Sequence, residues 1–196
     1  MDVTTRLARR LKSLREAQGW SLDALAERSG VSRSNIWLIE RGQSSPTAAV
    51  LDKLSAGLGV SLASLFEEAA AASAPPSPLA RVAEQPVWTD PASGYVRRNV
   101  SPAAPSPIQL VDVRFPAGQR VAYEASPRED EVHQQVWMID GVMEVSVGEA
   151  HWRLAAGDCL AMRLDRPIVY RNPTPRDARY LVALVTLPFI PDRRPS

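Results

Sequence analysis

Residues 20–47 read WSLDALAERSGVSRSNIWLIERGQSSPT, and this stretch decides the first half of the fold. Ser21 precedes an apolar run with helical spacing, so it is predicted to cap a helix through its hydroxyl. Gly30 supplies the left-handed conformation that ends this helix, and Ser32 is predicted to cap the next one, residues 32–40. Two short helices joined by a tight turn therefore form the centre of the predicted head.

Further helices are predicted on both sides of this pair. A first helix precedes Gly19, a fourth runs over residues 47–56, and a fifth lies near residues 61–66. The apolar side chains predicted to face the core are Leu7, Leu11, Leu14, Leu22, Leu25, Ala26, Ile36 and Ile39. The sequence thus predicts an all-α head.

The chain of 196 residues carries a net charge of only +1, but the charge is unevenly distributed. Residues 1–41 hold eight basic and five acidic side chains, a net +3, which leaves −2 for the remainder. This asymmetry permits nucleic-acid binding without demonstrating it. No signal peptide and no apolar run of roughly 20 residues is evident, and there is one cysteine, Cys159, so we expect a cytoplasmic protein without a membrane partner.

The pattern of apolar and turn-forming residues changes after a proline-rich segment. Residues 69–80 are predicted to be a semi-rigid linker, and residues beyond it contain short β-rich runs separated by Gly, Pro, Asp and Asn. Strands are predicted over 95–100, 108–115, 120–124, 132–139, 142–147, 151–154, 159–162, 168–171 and 180–187. Asp140-Gly141 indicates a hairpin turn, and Cys159 is expected to be a small buried filler within its strand. Many short strands favour an antiparallel sandwich or barrel.

The head carries a family resemblance in three segments: residues 20–26, residues 29–32, and residues 39–47 with the sequence IERGQSSPT. Together they resemble the phage-repressor-type (Cro/C1, or XRE) helix-turn-helix family. The resemblance implies that residues 32–40 enter the major groove of a palindromic double-stranded operator, with the N-terminal residues at the base edges. It implies a DNA-binding transcriptional regulator, and we expect a repressor.

The resemblance also implies a role for individual side chains. Arg33 and Ser34 would face bases first, with Arg33 forking onto guanine, and Trp37 and Leu38 would follow one turn later. Trp37 is open to three interpretations: contact with thymine methyl groups, contact with the sugar edge, or packing against a neighbouring helix. Phosphate-positioning contacts are assigned to Asn35, Arg41, Gln43 and Ser44. The predicted DNA-binding set is Ser21, Ser32, Arg33, Ser34, Asn35, Trp37, Leu38, Arg41, Gln43 and Ser44. Glu40 is expected to pair with a nearby arginine instead.

The β-rich half carries a second resemblance, in residues 115–118 (FPAG), 136–145 (VWMIDGVMEV), 154–160 (LAAGDCL) and 167–172 (PIVYRN). These are similar to the two motif regions of the cupin family, which are double-stranded β-helix (jelly-roll) barrels. The predicted fold is therefore two domains: an all-α helix-turn-helix head over residues 4–68 and an all-β cupin barrel over residues 81–188. The combination resembles a class of bacterial regulators.

Metal-binding cupins hold their ion with histidines and a glutamate, and the resemblance puts Gln134 and Ile168 at two of those positions. The two histidines, His133 and His151, do not stand at ligand spacing. We therefore expect no metal, no cofactor, no catalytic residues and no enzyme activity. Two alternatives remain open: a metal-dependent oxidoreductase or epoxidase with a helix-turn-helix appendage, and an antitoxin-like regulator that binds a partner protein.

The barrel interior is interpreted as a small-molecule effector site or, alternatively, as a packed core. The candidate ligand-binding side chains are Tyr123, Gln134, Val136, Met138, Arg163, Ile168 and Tyr170. Arg163 would select an anionic effector, such as a carboxylate or sulfur oxyanion, if it points inward, and it is only a surface residue if it points outward. A homodimer is expected, with Trp137 and Ile139 as candidates for the shared surface or, alternatively, for packing within the barrel.

Overall fold

The computed structural model describes residues 3–66, 76–125 and 130–188. These residues form a helical head followed by an all-β domain, which confirms the predicted fold class. Residues 67–75, which hold the end of the predicted head and most of the predicted linker, lie outside the described residues. The domain boundaries 4–68, 69–80 and 81–188 therefore stay a prediction. In the described ranges, no helix is long and apolar enough to cross a bilayer.

Over residues 3–66, the head has four α-helices and a one-turn 3₁₀ helix: α1 (Val3–Ala17), α2 (Leu22–Ser29), α3 (Arg33–Glu40), α4 (Ala48–Gly57) and the 3₁₀ helix Ala63–Phe66. The predicted caps are confirmed. Ser21 Oγ accepts the Ala24 N–H at 3.1 Å, Ser32 Oγ accepts the Asn35 N–H at 3.3 Å, and Gly30 has a φ of 67°. α2 and α3 therefore begin where a serine hydroxyl accepts an N-terminal N–H, and α2 ends at a left-handed glycine.

The core of the head lies where the helices meet. Leu7, Leu11, Leu25, Ile36 and Ile39 are buried as predicted. Leu14, Leu22 and Ala26 are only partly buried and pack against the edge of this core.

A buried ion pair crosses the head between α1 and the end of α3. The Arg15 guanidinium donates to both carboxylate oxygens of Glu40, from Nε at 2.7 Å and from Nη2 at 2.8 Å. It also donates to the carbonyl of Trp20 at 2.7 Å. The hydrogen bond to Glu40 outweighs burial and raises the pKa of Arg15. The expectation that Glu40 has an arginine partner is thus confirmed.

Two antiparallel sheets form the β domain. The six-stranded sheet has the order β1-β2-β3-β10-β5-β8, and the four-stranded sheet has the order β4-β9-β6-β7. The strands are β1 (Val87–Thr89), β2 (Val96–Asn99), β3 (Ile108–Phe115), β4 (Arg120–Tyr123), β5 (Asp130–Asp140), β6 (Val142–Val147), β7 (Ala150–Ala155), β8 (Cys159–Arg163), β9 (Ile168–Arg171) and β10 (Ala178–Pro188). Alternate side chains of both sheets, such as Val113, Met138 and Val145, are buried between them.

The connection at Asp140-Gly141 is a turn between the sheets and not the predicted hairpin. β5 pairs with β10 and β8, whereas β6 pairs with β7 and β9 in the other sheet. Gly141 has a φ of 79°, and a Cβ there would lie 2.8 Å from the Cα of Ala178. The glycine therefore serves a tight corner at which the chain changes sheets.

The expected burial of Cys159 is wrong, because the thiol is exposed. β8 alternates, and Leu160 and Met162 are its buried side chains. The period of two then turns Cys159, Ala161 and Arg163 to the outer face of the six-stranded sheet.

Head and barrel pack directly against each other. The N–H of Ala48, at the start of α4, donates to Asp90 Oδ1 at 2.9 Å, and Asn99 Nδ2 donates to the carbonyl of Ala63 at 3.1 Å. The rings of Phe66 and Trp88 are 5.8 Å apart. One hydrophobic cluster runs through this contact, so the two domains share a core.

Candidate DNA-binding surface and barrel cavity

The outer face of α3 is exposed along its length while its inner face is anchored. Ile36 and Ile39 are buried, whereas Trp37 and Leu38 are 43% and 37% exposed. Large apolar side chains are uncommon on an exposed helical surface without a partner. This face of α3 is therefore a candidate recognition surface.

The predicted DNA-binding residues lie on α3, on the caps of α2 and α3, and in the turn after α3. Those that are exposed are Ser21, Ser32, Arg33, Ser34, Trp37, Leu38, Arg41 and Gln43. Asn35 and Ser44 are half-buried. The hydroxyls of Ser21 and Ser32 accept helix N–H groups, which leaves their O–H hydrogens able to donate.

Two cationic side chains on this surface have neighbours that were not foreseen. Arg33 Nε lies 3.2 Å from Asp23 Oδ1, and both side chains are largely exposed. The Arg41 guanidinium lies over the Trp37 ring, 4.8 Å from its centre, in a cation–π contact. The spacing of four residues between Trp37 and Arg41 on a helix end was the signal for the second contact. Trp37 contacts Arg41 and stays 43% exposed, and its three interpretations stay open.

A cavity of about 70 Å³ lies in the barrel where it meets the head. Asp52, Ser61 and Leu62 line it from the head. The barrel contributes polar side chains that include Tyr95, Arg97, Tyr123, Gln134, Tyr170 and Tyr180, and apolar ones that include Ile168, Val182 and Leu184. One buried water takes roughly 10–15 Å³ on this measure, so the cavity has room for about five waters or a small ligand.

Four of the seven predicted ligand-binding residues line this cavity: Tyr123, Gln134, Ile168 and Tyr170. Val136 and Met138 face inward as predicted, but they are fully buried in the packed core and do not line the cavity. Arg163 points outward, where it lies 3.0 Å from Glu131 and 3.6 Å from Asp165. Side chains alternate along β8, so Arg163 points away from the interior. Arg163 is therefore a surface residue and does not contact an effector in the barrel.

The arginine inside the barrel is Arg97, which the sequence analysis did not single out. It lies on β2, is 8% exposed and lines the cavity. Among the described residues, no group accepts a hydrogen bond from its Nε. The signal was available in the period of two, since Tyr95, Arg97 and Asn99 share one face, but Arg98 beside it gave no reason to prefer either arginine.

Tyrosine hydroxyls form the polar wall of the cavity. Tyr95 and Tyr123 hydroxyls are 3.1 Å apart, and Gln134 Nε2 donates to the Tyr170 hydroxyl at 2.6 Å. Burial is the largest cause in each case and raises the pKa of Tyr95, Tyr123, Tyr170 and Tyr180. The charge of Arg97 acts in the opposite direction on the pKa of all four tyrosines.

The histidines stand apart from the cavity chemistry. His133 Nε2 lies 3.2 Å from Glu131 Oε2, and His151 Nδ1 lies 2.7 Å from Ser146 Oγ on the exposed side of the other sheet. In the described part of the chain, no three His, Cys, Asp or Glu side chains cluster as metal ligands.

Comparisons with known proteins match both halves. The model of the helix-turn-helix domain family matches residues 6–68. The HTH-type transcriptional regulator SutR of Escherichia coli (strain K12) is 31% identical over 167 residues, which are 85% of this chain and 86% of SutR. SinR of Bacillus subtilis (strain 168), also an HTH-type transcriptional regulator, is 41% identical over 63 residues, which are 32% of this chain and 57% of SinR.

Among solved structures, an HTH_3-family transcriptional regulator from Vibrio cholerae superposes with a TM-score of 0.73 at 25% identity. The superposition covers 93% of this chain and 96% of that one. The likeness therefore extends through the head and the barrel together.

Proposed function

The chain belongs to the helix-turn-helix family of transcriptional regulators, and from that premise we propose that it represses its target genes in the cytoplasm by inserting α3 into a palindromic operator. The observation that carries the proposal is the exposed outer face of α3, whose inner face is anchored by Ile36 and Ile39. A helix held this firmly presents its N-terminal side chains to the major groove without further ordering.

In this proposal, base contacts and backbone contacts come from different side chains. Arg33 and Ser34 contact base edges, and Trp37 and Leu38 contact thymine methyl groups. Phosphates are contacted by the remaining DNA-binding residues, which are Ser21, Ser32, Asn35, Arg41, Gln43 and Ser44. Arg33 exchanges Asp23 for guanine, which costs little because an exposed ion pair contributes at most about 1 kcal/mol.

The first test locates the operator and then removes the Arg33 side chain. Genome-wide binding of the tagged protein supplies the sites, and a few sharp palindromic peaks are expected. With that operator, Arg33→Ala should weaken specific binding by about 1–3 kcal/mol, roughly five- to 150-fold, in a fluorescence-anisotropy titration. Binding to random DNA should change much less.

Arg153→Ala is the matched control, because Arg153 is an exposed arginine on β7 and pairs with Glu144 at 3.2 Å. It should leave operator affinity unchanged. Equal losses for Arg33→Ala on operator and random DNA would remove its specificity role, and no enrichment at any genomic site would remove the proposed function.

We propose that the regulator is a homodimer joined through the outer face of the six-stranded sheet. Among the described residues, five exposed large apolar side chains lie on this face: Val87, Ile108, Trp137, Ile139 and Leu187. Two heads on one palindrome bind far more tightly than one head alone, since the second contact becomes intramolecular. A second copy of the chain is therefore the occupant that DNA binding favours.

Trp137→Arg tests this interface. Trp137 is 49% exposed, and a charge at the centre of an apolar contact should shift the protein to monomer in sedimentation velocity and weaken binding to the full palindrome. Trp152→Arg is the control, because Trp152 is 40% exposed but lies on β7 of the other sheet. A monomeric wild type, or equal effects of both substitutions, would contradict the proposal.

We further propose that the cavity binds a small effector that changes the placement of the heads. Its lining combines Asp52 and Leu62 of the head with Tyr123 and Tyr170 of the barrel, so an occupant contacts both domains. An effector shifts DNA affinity only by its differential affinity for the two head placements. The readout is operator affinity with and without the effector.

The chain is proposed to work without enzyme activity or a cofactor. Gln134 donates to Tyr170 and Ile168 is apolar, and these two positions hold ligands in metal-binding cupins. His133 pairs with Glu131 instead of facing a shared centre. Stoichiometric iron or zinc in the purified protein would favour the epoxidase-like alternative instead.

A further inference from the structure

Arg97 is a buried cation whose hydrogen bonds are incomplete. It is 8% exposed on β2, opposite Val113 of β3, and its Nε has no acceptor among the described residues. Leaving a buried charged group unsatisfied is costly, and proteins retain such groups mainly where function uses them. The guanidinium edge formed by Nε and one Nη is also the edge that binds a carboxylate through two parallel hydrogen bonds.

The surroundings of Arg97 do not neutralise it. The charge of Arg97 lowers the pKa of Tyr95, but burial has the larger effect and keeps the phenol neutral. Asp52 lines the same cavity from α4, yet no ion pair within 4.0 Å joins these two described residues. The cavity therefore offers a cation without a direct anionic partner.

The rest of the lining restricts the kind of anion. Val182, Leu184 and Ile168 form an apolar wall, which suits a short hydrocarbon better than a fully hydrated inorganic ion. The lining holds two arginines, Arg97 and Arg166, and two carboxylates, Asp52 and Glu124, so its charges balance and a singly charged anion is favoured over a doubly charged one. A volume of about 70 Å³ admits only a small molecule.

We infer that the cavity binds a small monocarboxylate, whose carboxylate pairs with Arg97 and whose short hydrocarbon chain contacts Val182, Leu184 and Ile168. This deepens the proposed effector site and rests on it. The hydroxyls of Tyr95 and Tyr123 bond to each other, which leaves one of their two hydrogens able to donate to the carboxylate beside the guanidinium.

The test compares charged ligands with neutral ligands of the same shape, and it uses the full-length protein without DNA. Acetate and butyrate are compared with their neutral isosteres acetamide and butyramide at equal ionic strength, by thermal unfolding and by isothermal titration calorimetry. A carboxylate that binds only the folded state should raise the unfolding temperature by several degrees at high saturation. The amides and inorganic phosphate should leave the unfolding temperature unchanged. Equal stabilisation by butyramide, stabilisation by phosphate alone, or no response to either carboxylate would overturn the inference.

Arg97→Met is the variant that removes the buried cation of the cavity. Removing the buried charge while keeping a side chain of similar length should abolish the response to butyrate, and the variant should unfold at a higher temperature than wild type in anion-free buffer. Arg163→Met, on the outer face, should keep the response. An Arg97→Met protein that still binds butyrate would overturn the assignment, and if the variant fails to fold, the contrast of butyrate with butyramide in wild type decides.

Measuring operator affinity as well distinguishes a failure of the monocarboxylate inference from a failure of the proposed regulation. Butyrate binding without any change in operator affinity would keep this inference and remove the coupling to the heads. A change in operator affinity with some other metabolite, but no carboxylate binding at Arg97, would remove this inference and keep the regulation.

Discussion

Arg15 joins α1 to the end of α3 through one guanidinium. Its donors contact Glu40 and the carbonyl of Trp20, and the Arg15 and Glu40 side chains are 11% and 7% exposed. The sequence led to the expectation that Glu40 pairs with a nearby arginine but could not choose among the arginines, because the partner lies 25 residues away in the chain. Arg97 was missed because Arg98 follows it directly, and no local signal distinguished the inward arginine from the outward one. A local pattern assigns the face of a side chain, while its partner depends on how distant segments pack.

Glu40→Gln tests the contribution of this pair. The substitution leaves the Arg15 charge buried with a weaker acceptor, so we expect the free energy of unfolding to fall by roughly 3 kcal/mol in urea denaturation. Glu16→Gln removes a neighbouring contact of Arg15 at 3.7 Å, but Glu16 is largely exposed, and the change should stay below about 0.5 kcal/mol. Similar losses for both substitutions would mean that burial does not strengthen the pair.

The strands differ in how well the sequence predicted them. β3, β6 and β9 begin and end at the predicted residues, because alternating apolar side chains are bounded there by Gly, Pro or Asn. β1, with only three residues, is too short for a period of two to be recognised, and it was missed. The Asp-Gly pair at 140–141 predicted a turn correctly but not the change of sheet, since turn chemistry does not determine which strands pair.

Gly141→Ala should be strongly destabilising at this corner. The new Cβ meets the backbone of Ala178 at 2.8 Å and also strains a φ of 79°, so the loss should be about 3 kcal/mol in urea denaturation. Gly157→Ala is the control, with a φ of 94° but no atom within 4 Å of the added Cβ, and only backbone strain of about 1 kcal/mol is expected. A corner that tolerates alanine would show that the chain can shift away from Ala178.

All four tyrosines of the chain line one cavity, with Tyr95, Tyr170 and Tyr180 buried and Tyr123 half-buried, so they share a limit of stability at alkaline pH. Burial raises the pKa of each tyrosine above its value of 10.0 in the unfolded chain. The stabilisation from keeping these phenols neutral is complete below pH 10 and is lost as the pH rises toward the folded pKa values. The unfolded state releases phenolic protons first, and it is therefore favoured at high pH.

Absorbance at 295 nm, which reports tyrosinate, should stay flat through pH 10 and then rise in one step for all four residues. The step should coincide with loss of the helical circular-dichroism signal at 222 nm, because the head shares its core with the barrel. A gradual rise near pH 10 in the folded protein would contradict the burial of the cluster. Helical unfolding well before the absorbance step would contradict the shared core.

The contact of Phe66 and Ala48 with Trp88 and Asp90 also bears on how such regulators acquire new target genes. Recombination within residues 67–80 would graft a foreign head onto this barrel and bring together surfaces that did not diverge side by side. Such a recombinant protein would also have a mismatched contact between Asn99 of the barrel and the head. Lineages should therefore change operator by substitutions on α3, with head and barrel inherited as one unit.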